Sequence, residues 1–183
     1  MDNSTLIELI EACLLNDGNA FRKIVVSHQS MIHTLAFRLL CDEEEAKDAV
    51  QETFVRVWEN LHKFDRNKKF STWIYAIATN LCYDKLRAKI HFSGMVSIDD
   101  SLNQILSSED VEQNIINSDL AKIITALTES LTPKQKIVFT LRDLESMEID
   151  EISQITGLSA GKIKSNLFLA RQAIRNKLDV INN

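Results

Sequence analysis

Apolar residues recur at intervals of three and four positions through residues 1–90, which is the spacing of one face of an α-helix. Four such stretches follow one another, and they run from Leu6 to Leu15, from about Asn19 to Leu40, from Ala46 to Leu61 and from Trp73 to Leu86. Acidic residues at 42–45 suit the positive N-terminus of the third helix, and Ser71 or Thr72 can cap the fourth. The pattern predicts a compact bundle of four helices.

The helical pattern fades over residues 91–118 and then returns. In that interval Ser and Asn are frequent, and the acidic residues have no basic residue among them. We therefore predict an acidic linker over 91–118. Beyond it, Leu120, Ile123 and Leu127 restore the helical spacing, and Thr132 and Pro133 open a further helix because Pro is tolerated at the first helical position. The pattern predicts a second helical domain over 119–183.

The second domain contains the pattern of a helix-turn-helix. Residues 150–156 form a short helix, Gly157 supplies a turn that needs positive φ, and Ser159 caps a longer helix that ends near Leu178. The apolar residues that would join the two helices are Ile149, Ile152, Ile155, Leu158, Ile163 and Leu167.

The longer of these two helices is basic. It carries Lys162, Lys164, Arg171, Arg175 and Lys177 and no acidic residue, whereas acidic residues occupy the segment before it. This separation of charge, with Ser165 and Asn166 as polar groups, is typical of a helix that enters the major groove of DNA. A plain helical hairpin with a solvated basic face is the alternative.

Charge also separates within the first domain. Asp42–Glu59 contains seven acidic and two basic residues, and the balance then inverts from Lys63 to Lys89. Aromatic residues alternate with these bases, an arrangement suited to unpaired nucleic acid because flat rings stack bases while cations hold the backbone. Spacing places Phe70 and Trp73 partly in the core, whereas we expect Tyr75, Tyr83 and the loop Phe64–Lys69 to be exposed.

Composition narrows the fold and the compartment. Four Gly and one Pro in 183 residues are too few for the turns of an all-β protein, so the prediction is all-α. The net charge of −5 argues against tight autonomous binding to a polyanion, so nucleic-acid contacts must use local patches.

Cys13, Cys41 and Cys82 lie far apart, and we expect them to be reduced thiols that pack in the core and form no metal site. No apolar stretch or leader pattern is present, which favours the cytoplasm.

Three segments, in this order, resemble the extracytoplasmic-function (ECF, group IV, sigma-70 family) sigma factors of bacterial RNA polymerase. Residues 36–58 are similar to regions 2.1 and 2.2 of that family, residues 70–80 to regions 2.3 and 2.4, and residues 131–135 with 162–165 to region 4. The resemblance implies two small helical domains, region 2 and region 4, joined by a flexible linker. It also implies that the protein binds core polymerase and directs promoter-specific initiation by reading the −35 and −10 elements and trapping melted DNA.

The resemblance further implies which residues make each contact. Contacts to the clamp coiled coil of the largest polymerase subunit fall on Asp48, Gln51, Glu52, Phe54 and Trp58. Contacts to the −10 element, including a flipped base, fall on Lys63, Phe64, Lys68, Lys69, Tyr75, Asn80, Tyr83, Asp84 and Arg87. Contacts to the −35 element fall on Lys162, Lys164, Ser165, Asn166 and Arg171. The flap of the second polymerase subunit and an anti-sigma factor are further implied partners.

The chain departs from the family pattern in both helices of the helix-turn-helix. Asn166 stands where Arg is common, and Phe168 and Leu169 stand where a His-Arg or Phe-Arg pair is common, so the promoter sequence does not transfer. Ser153 and Thr156 replace the usual Ala and Leu, which weakens the apolar seam, and we expect the fold to survive.

Three other functions are weighed against this one. A free-standing helix-turn-helix regulator would leave the patterns at 48–58 and 70–80 unexplained. A helical interaction protein without a DNA role is supported only by the net acidity. An enzyme has one candidate feature, Asp48 and Glu52 one helical turn apart, but no metal-binding His or nucleophile accompanies them. We expect no catalytic residue, metal or cofactor.

Overall fold

The computed structural model describes residues 3–93 and 123–181, and these residues are helical apart from short turns. The first domain has α1 (Asn3–Leu14), α2 (Gly18–Leu40), α3 (Glu43–Asn60) and α4 (Phe70–Ser93), with a 3₁₀ turn at Leu61–Lys63. The second has α5 at 123–128, α6 (Pro133–Phe139), α7 (Ile149–Thr156) and α8 (Ala160–Ile181). No strand occurs in these two ranges, and the all-α prediction is confirmed. The predicted linker lies, apart from 91–93 in α4, outside the described residues.

Two aspartates set the starts of α2 and α3. The Asp17 carboxylate accepts hydrogen bonds from the backbone N–H groups of Asn19 and Ala20, and Asp42 accepts one from Glu45 at 2.9 Å. These are N-caps, which satisfy backbone donors that have no partner inside the helix. The capping residue predicted for α4 is wrong. Because α4 already begins at Phe70, Ser71 and Thr72 lie inside its first turn, and the Lys69 carbonyl accepts the N–H of Trp73.

The four-helix bundle forms around α2, which packs against α1, α3 and α4. Its fully buried side chains lie at the three- and four-residue spacing of one helix face, and they include Ile24, Ile32, Leu35 and Leu39. Ile74 from α4 joins them. The bundle predicted from the hydrophobic pattern is confirmed.

The helix-turn-helix is also confirmed. Gly157 ends α7 with φ of 69°, the left-handed region that glycine adopts without strain, and its N–H donates to the Ser153 carbonyl at 2.8 Å. Ile152, Ile155 and Ile163 are buried between α7 and α8, together with Leu167.

The two polar residues in this seam are both satisfied. Ser153 Oγ donates to the Leu158 carbonyl at 2.8 Å, and Thr156 Oγ1 donates to the Ile152 carbonyl at 2.7 Å. The Leu158 N–H donates in turn to Thr156 Oγ1. The fold therefore accommodates Ser153 and Thr156 because each hydroxyl stabilises the turn between the helices.

The described parts of the two domains pack together. Helices α6 and α7 lie against α4, and one continuous apolar cluster contains side chains from both domains. Ile137, Val138, Leu141 and Ile152 belong to that cluster along with the bundle core. A π-helical turn at Thr140–Leu144 follows α6 and brings the next residue, Glu145, to the bundle surface. Nothing in the hydrophobic pattern predicted this contact.

Candidate functional site

One face of α3 is open to solvent along its length. Asp48, Gln51, Val55 and Trp58 are exposed, and their spacing of three and four residues places them in a single stripe. Glu52 is half-buried and binds Arg56 at 2.6 Å on the same helix. One accessible surface therefore carries acidic and polar groups in its first half and apolar groups in its second half, and we call it the α3 stripe (Asp48, Gln51, Glu52, Val55 and Trp58).

The Trp58 ring in the α3 stripe packs against the Phe21 ring of α2. Its ring centroid lies 4.9 Å from that of Phe21, and the Phe54 ring lies 6.5 Å from Phe21. Phe54, one of the predicted polymerase contacts, is only 6% exposed and belongs to the core beneath the stripe. Its position supports the orientation of Trp58, while Trp58 is the aromatic side chain that a partner can reach.

The loop before α4 is anchored by three aromatic rings. The centroids of Phe64 and Phe70 are 5.2 Å apart, and each lies within 5.6 Å of the Trp73 ring. The prediction that Phe64 is exposed is wrong, because this packing leaves it half-buried. The charged residues of the loop Phe64–Lys69, Lys68 among them, are exposed as predicted, and Lys63 is exposed as well.

The C-terminal half of α4 presents a second open face. Asn80, Asp84 and Arg87 are exposed and lie at helical spacing. Tyr83 lies half-buried beside them, so its predicted exposure is wrong. The Arg87 guanidinium lies 5.6 Å from the centroid of the Tyr83 ring, a cation–π geometry. This face brings four of the predicted −10 contacts together.

Tyr75 does not belong to that open face, and its predicted exposure is wrong. It is 6% exposed, and its hydroxyl donates to Glu145 Oε2 of the second domain at 3.1 Å. Burial, followed by the neighbouring carboxylate, raises the pKa of Tyr75 well above its ordinary value. The sequence could not reveal this environment because Glu145 lies 70 residues further along the chain.

Arg38 on α2 binds the same carboxylate. Its Nη1 lies 2.5 Å from Glu145 Oε1 and donates to the Leu144 carbonyl at 2.8 Å. Two further contacts join the domains: Lys69 Nζ lies 3.4 Å from Glu151 Oε1, and the buried Lys136 donates to Cys41 Sγ. Arg38 was missed by sequence reasoning, because an arginine among the apolar residues at the end of α2 carries no local signal of a partner 107 residues away.

On α8, the exposed predicted contacts are Lys162, Lys164, Ser165 and Arg171. Asn166 is half-buried and its amide donates to the Lys162 carbonyl at 2.7 Å. Arg171 is held by Asp143 through two hydrogen bonds of 2.9 and 2.6 Å, which raise the pKa of its guanidinium. Asp143 therefore fixes the direction of one predicted DNA contact.

A groove runs along the same side of α8. Four cationic side chains line it, together with the ring of Phe168, which is 67% exposed. The cations are Arg142, Lys164, Arg171 and Arg175. Arg142 and Phe168 were not among the predicted contacts, although Phe168 stood out as a large apolar residue on a basic helix.

Within residues 3–93 and 123–181, no cluster of three or more His, Cys, Asp or Glu side chains could hold a metal ion. None of the helices in those ranges combines the length and apolar character needed to cross a membrane. Cys13 and Cys82 are buried free thiols, and Cys41 is a half-buried one.

Family models match both domains. The model of Sigma-70 region 2 matches residues 24–90, and the model of Sigma-70, region 4 matches residues 121–174. The first match contains the α3 stripe and the open face of α4, and the second contains the helix-turn-helix.

Relatives and solved structures match over most of the chain. An ECF RNA polymerase sigma factor, SigW of Bacillus subtilis, is 32% identical over 88% of this chain and 90% of the relative. The ECF RNA polymerase sigma-E factor of Escherichia coli is 28% identical over 93% of this chain and 92% of the relative.

The fold is similar to that of CnrH in complex with the cytosolic domain of CnrY, with a TM-score of 0.69, 22% identity and coverage of 98% and 99% of the two chains. It is also similar to the sigma factor RpoE of Bartonella quintana in complex with the anti-sigma factor NepR, with a TM-score of 0.64, 21% identity and coverage of 87% and 97%.

A two-domain helical fold with these two matched regions defines a sigma factor of the sigma-70 class. The chain belongs to the ECF RNA polymerase sigma factors. Its function is therefore that of a sigma factor and not of a free-standing regulator, and its partners are core RNA polymerase and promoter DNA.

Proposed function

We propose that the α3 stripe is the surface through which this sigma factor binds the clamp coiled coil of core polymerase. The composition of the α3 stripe supports this proposal. Asp48 and Gln51 are exposed and offer polar contacts, and Trp58, which is 37% exposed, offers an apolar anchor on the same face. Trp side chains of this kind carry much of the energy of protein interfaces. Packing against Phe21 holds the ring in place before binding.

Transcription initiated by the purified chain with bacterial core polymerase, on a pool of genomic promoter fragments, tests this surface. Asp48→Arg reverses one charge at the stripe and should lower specific initiation at least tenfold, while Glu8→Arg, an exposed reversal on α1, should not. Equal activity of the two variants would remove the α3 stripe from the polymerase interface.

We infer that the open face of α4 reads the −10 element and that the loop Phe64–Lys69 holds the unpaired strand of that element. Asn80 and Asp84 offer hydrogen-bonding groups at helical spacing, and Arg87 and the loop lysines offer charges for the backbone. Stacking returns about 1–3 kcal/mol per base, so several such contacts must act together to keep the DNA melted. Asn80→Ala should reduce formation of open complexes, detected by permanganate reactivity of unpaired thymines, without reducing assembly with core polymerase.

We infer that α8 reads the −35 element in the major groove, with Lys162, Lys164, Ser165 and Asn166 toward the DNA and Arg171 oriented by Asp143. Lys164→Ala should lower the affinity of the holoenzyme for all −35 sequences and reduce the salt dependence by about one ion. Ser165→Ala should alter the preference among sequences instead. Loss of affinity without any change of salt slope in Lys164→Ala would contradict a phosphate contact at that position.

We further propose the setting in which the protein acts. Region 2 occupies residues 1–90 and region 4 occupies 119–183, joined by the acidic segment 91–118, and the protein acts in the cytoplasm without catalysing a reaction. An anti-sigma factor controls it, a proposal supported by the structural neighbour RpoE of Bartonella quintana, which is in complex with the anti-sigma factor NepR. Coexpression of the cognate anti-sigma factor should abolish initiation from the promoters that the transcription assay selects.

A further inference from the structure

Arg38 on α2 and Tyr75 on α4 together bind the Glu145 carboxylate, and we call the site that these two side chains form the pocket. Glu145 is bound through both oxygens, Oε1 by the Arg38 guanidinium at 2.5 Å and Oε2 by the Tyr75 hydroxyl at 3.1 Å. The side chain of Glu145 is 12% exposed and that of Arg38 is 28% exposed. Arginine and tyrosine are also groups that proteins use to contact DNA phosphates.

This pocket lies on the side of α4 that the second domain covers, next to the open face proposed to hold the melted −10 strand. Tyr75 precedes Tyr83 of that open face by eight residues, about 12 Å along the helix axis, and Tyr83 and Arg87 border residues 132–134 of the second domain. Lys69, at the start of the same helix, meets a second acidic residue of the other domain, Glu151. Acidic side chains of the second domain therefore bind two cationic side chains of the first, Arg38 and the proposed DNA contact Lys69.

We propose that Arg38 and Tyr75 form a phosphate-binding pocket for the melted promoter strand, and that the Glu145 carboxylate occupies this pocket as an internal substitute for the phosphate when the domains are packed together. This inference rests on the proposed role of α4 in reading the −10 element. It adds Arg38 to the DNA-binding residues and gives Glu145 the role of a competitor. Promoter DNA and the second domain cannot both fill the pocket.

The two partners of this ion pair should therefore behave oppositely. If Arg38 and Glu145 only joined the domains, removing either charge would have the same effect. If Arg38 also binds phosphate, Arg38→Gln should weaken DNA binding even after polymerase has separated the domains, and Glu145→Gln should not. In the free chain, where the domains are packed, Glu145→Gln should strengthen binding because it removes the negative charge with which the second domain competes for Arg38.

The test measures the affinity of the holoenzyme, made with the full chain, for a forked promoter fragment with an unpaired −10 strand over a range of KCl concentrations. Arg38→Gln should weaken binding about tenfold and reduce the salt slope by about one ion. Arg38→Lys should retain most of the salt slope. Arg22→Gln, an exposed change on the same helix, and Glu129→Gln, in the second domain, are matched charge controls, and circular dichroism checks the fold of each variant.

Equal effects of Arg38→Gln and Glu145→Gln in the holoenzyme would overturn the proposal and leave a simple contact between domains. The proposal would also be overturned if Arg38→Gln left the salt slope unchanged while Asn80→Ala was defective. In that case the proposed role of α4 would stand. If the wild type bound specifically and neither Arg38→Gln nor Asn80→Ala was defective, both the pocket and the proposed role of α4 would be overturned. The same fork with the free chain provides the second arm, in which Glu145→Gln should bind several-fold more tightly than Glu129→Gln.

Discussion

Tyr75 is held as a neutral phenol by its surroundings. The side chain is buried and its hydroxyl donates to Glu145, so ionisation would bury a negative charge beside a carboxylate. The pKa of Tyr75 is raised in the folded protein, whereas an unfolded tyrosine ionises near pH 10. The stability that this residue contributes is therefore fully present below about pH 10 and is lost as the pH rises further.

Urea unfolding between pH 9 and pH 11.5, for the wild type and Tyr75→Phe, measures this effect. Above about pH 10, the wild type should lose free energy of unfolding faster than Tyr75→Phe, by up to about 1.4 kcal/mol per pH unit. The buried Cys82 thiol, whose pKa is raised to about 12, is common to both proteins and cancels in the comparison. Parallel curves would mean that the Tyr75 phenol ionises normally in the folded state.

At the scale of a single element, the turn of the helix-turn-helix depends on one backbone conformation. Gly157 has φ of 69° and no heavy atom within 4 Å of an added Cβ, so Gly157→Ala would be strained by its backbone and not by crowding. The left-handed conformation costs an L-residue about 1–2 kcal/mol. Gly157→Ala should lower the free energy of unfolding by about that amount in a urea titration.

Gly161 is the matched control for that substitution. It also has open space around an added Cβ, but it lies in the first turn of α8 with no positive φ. Gly161→Ala should leave the stability unchanged or raise it slightly, because Ala favours a helix over Gly. If both substitutions destabilised the protein equally, a cause other than the backbone conformation of Gly157 would be required.

Elements of this protein were predictable where their signals are local. Asp42, Thr132 and Gly157 mark helix ends in the sequence, and each performs that function in the structure through a hydrogen bond within five residues. The exposed faces of α3 and α8 follow equally from helical spacing. The start of α4 was misplaced because Lys69 begins the helix through its backbone carbonyl, which any residue possesses.

The burial of two aromatic side chains could not be predicted in the same way. Tyr75 and Phe64 both follow a base-rich, aromatic pattern that suggests exposure. Phe64 is covered by rings from its own domain, and Tyr75 by a carboxylate 70 residues away. Periodicity within one helix reports which face is apolar, and it does not report what a distant element places against that face.

At the scale of the whole molecule, the contact between the domains combines apolar packing with ion pairs. Leu141 and Ile152 of the second domain belong to the same buried cluster as the bundle core. Arg38 and Glu145 add a partly buried ion pair at its edge, and removing one member of such a pair leaves the other without compensation. The packed arrangement hides Tyr75 and the pocket around it, so separation of the domains must precede any use of that pocket.

Small-angle scattering can test whether Glu145 controls that separation. A compact chain of this length has a radius of gyration of about 16 Å, and the wild type should be close to that value at several protein concentrations. Glu145→Arg places a second guanidinium against Arg38 and deprives the Tyr75 hydroxyl of its acceptor, so the radius should increase by several ångströms. Glu129→Arg makes the same charge change in the second domain at a site where Lys177, and no residue of the bundle, is the partner. If both variants remained as compact as the wild type, the apolar cluster alone would suffice to hold the domains together, and Glu145 would compete for the pocket without governing closure.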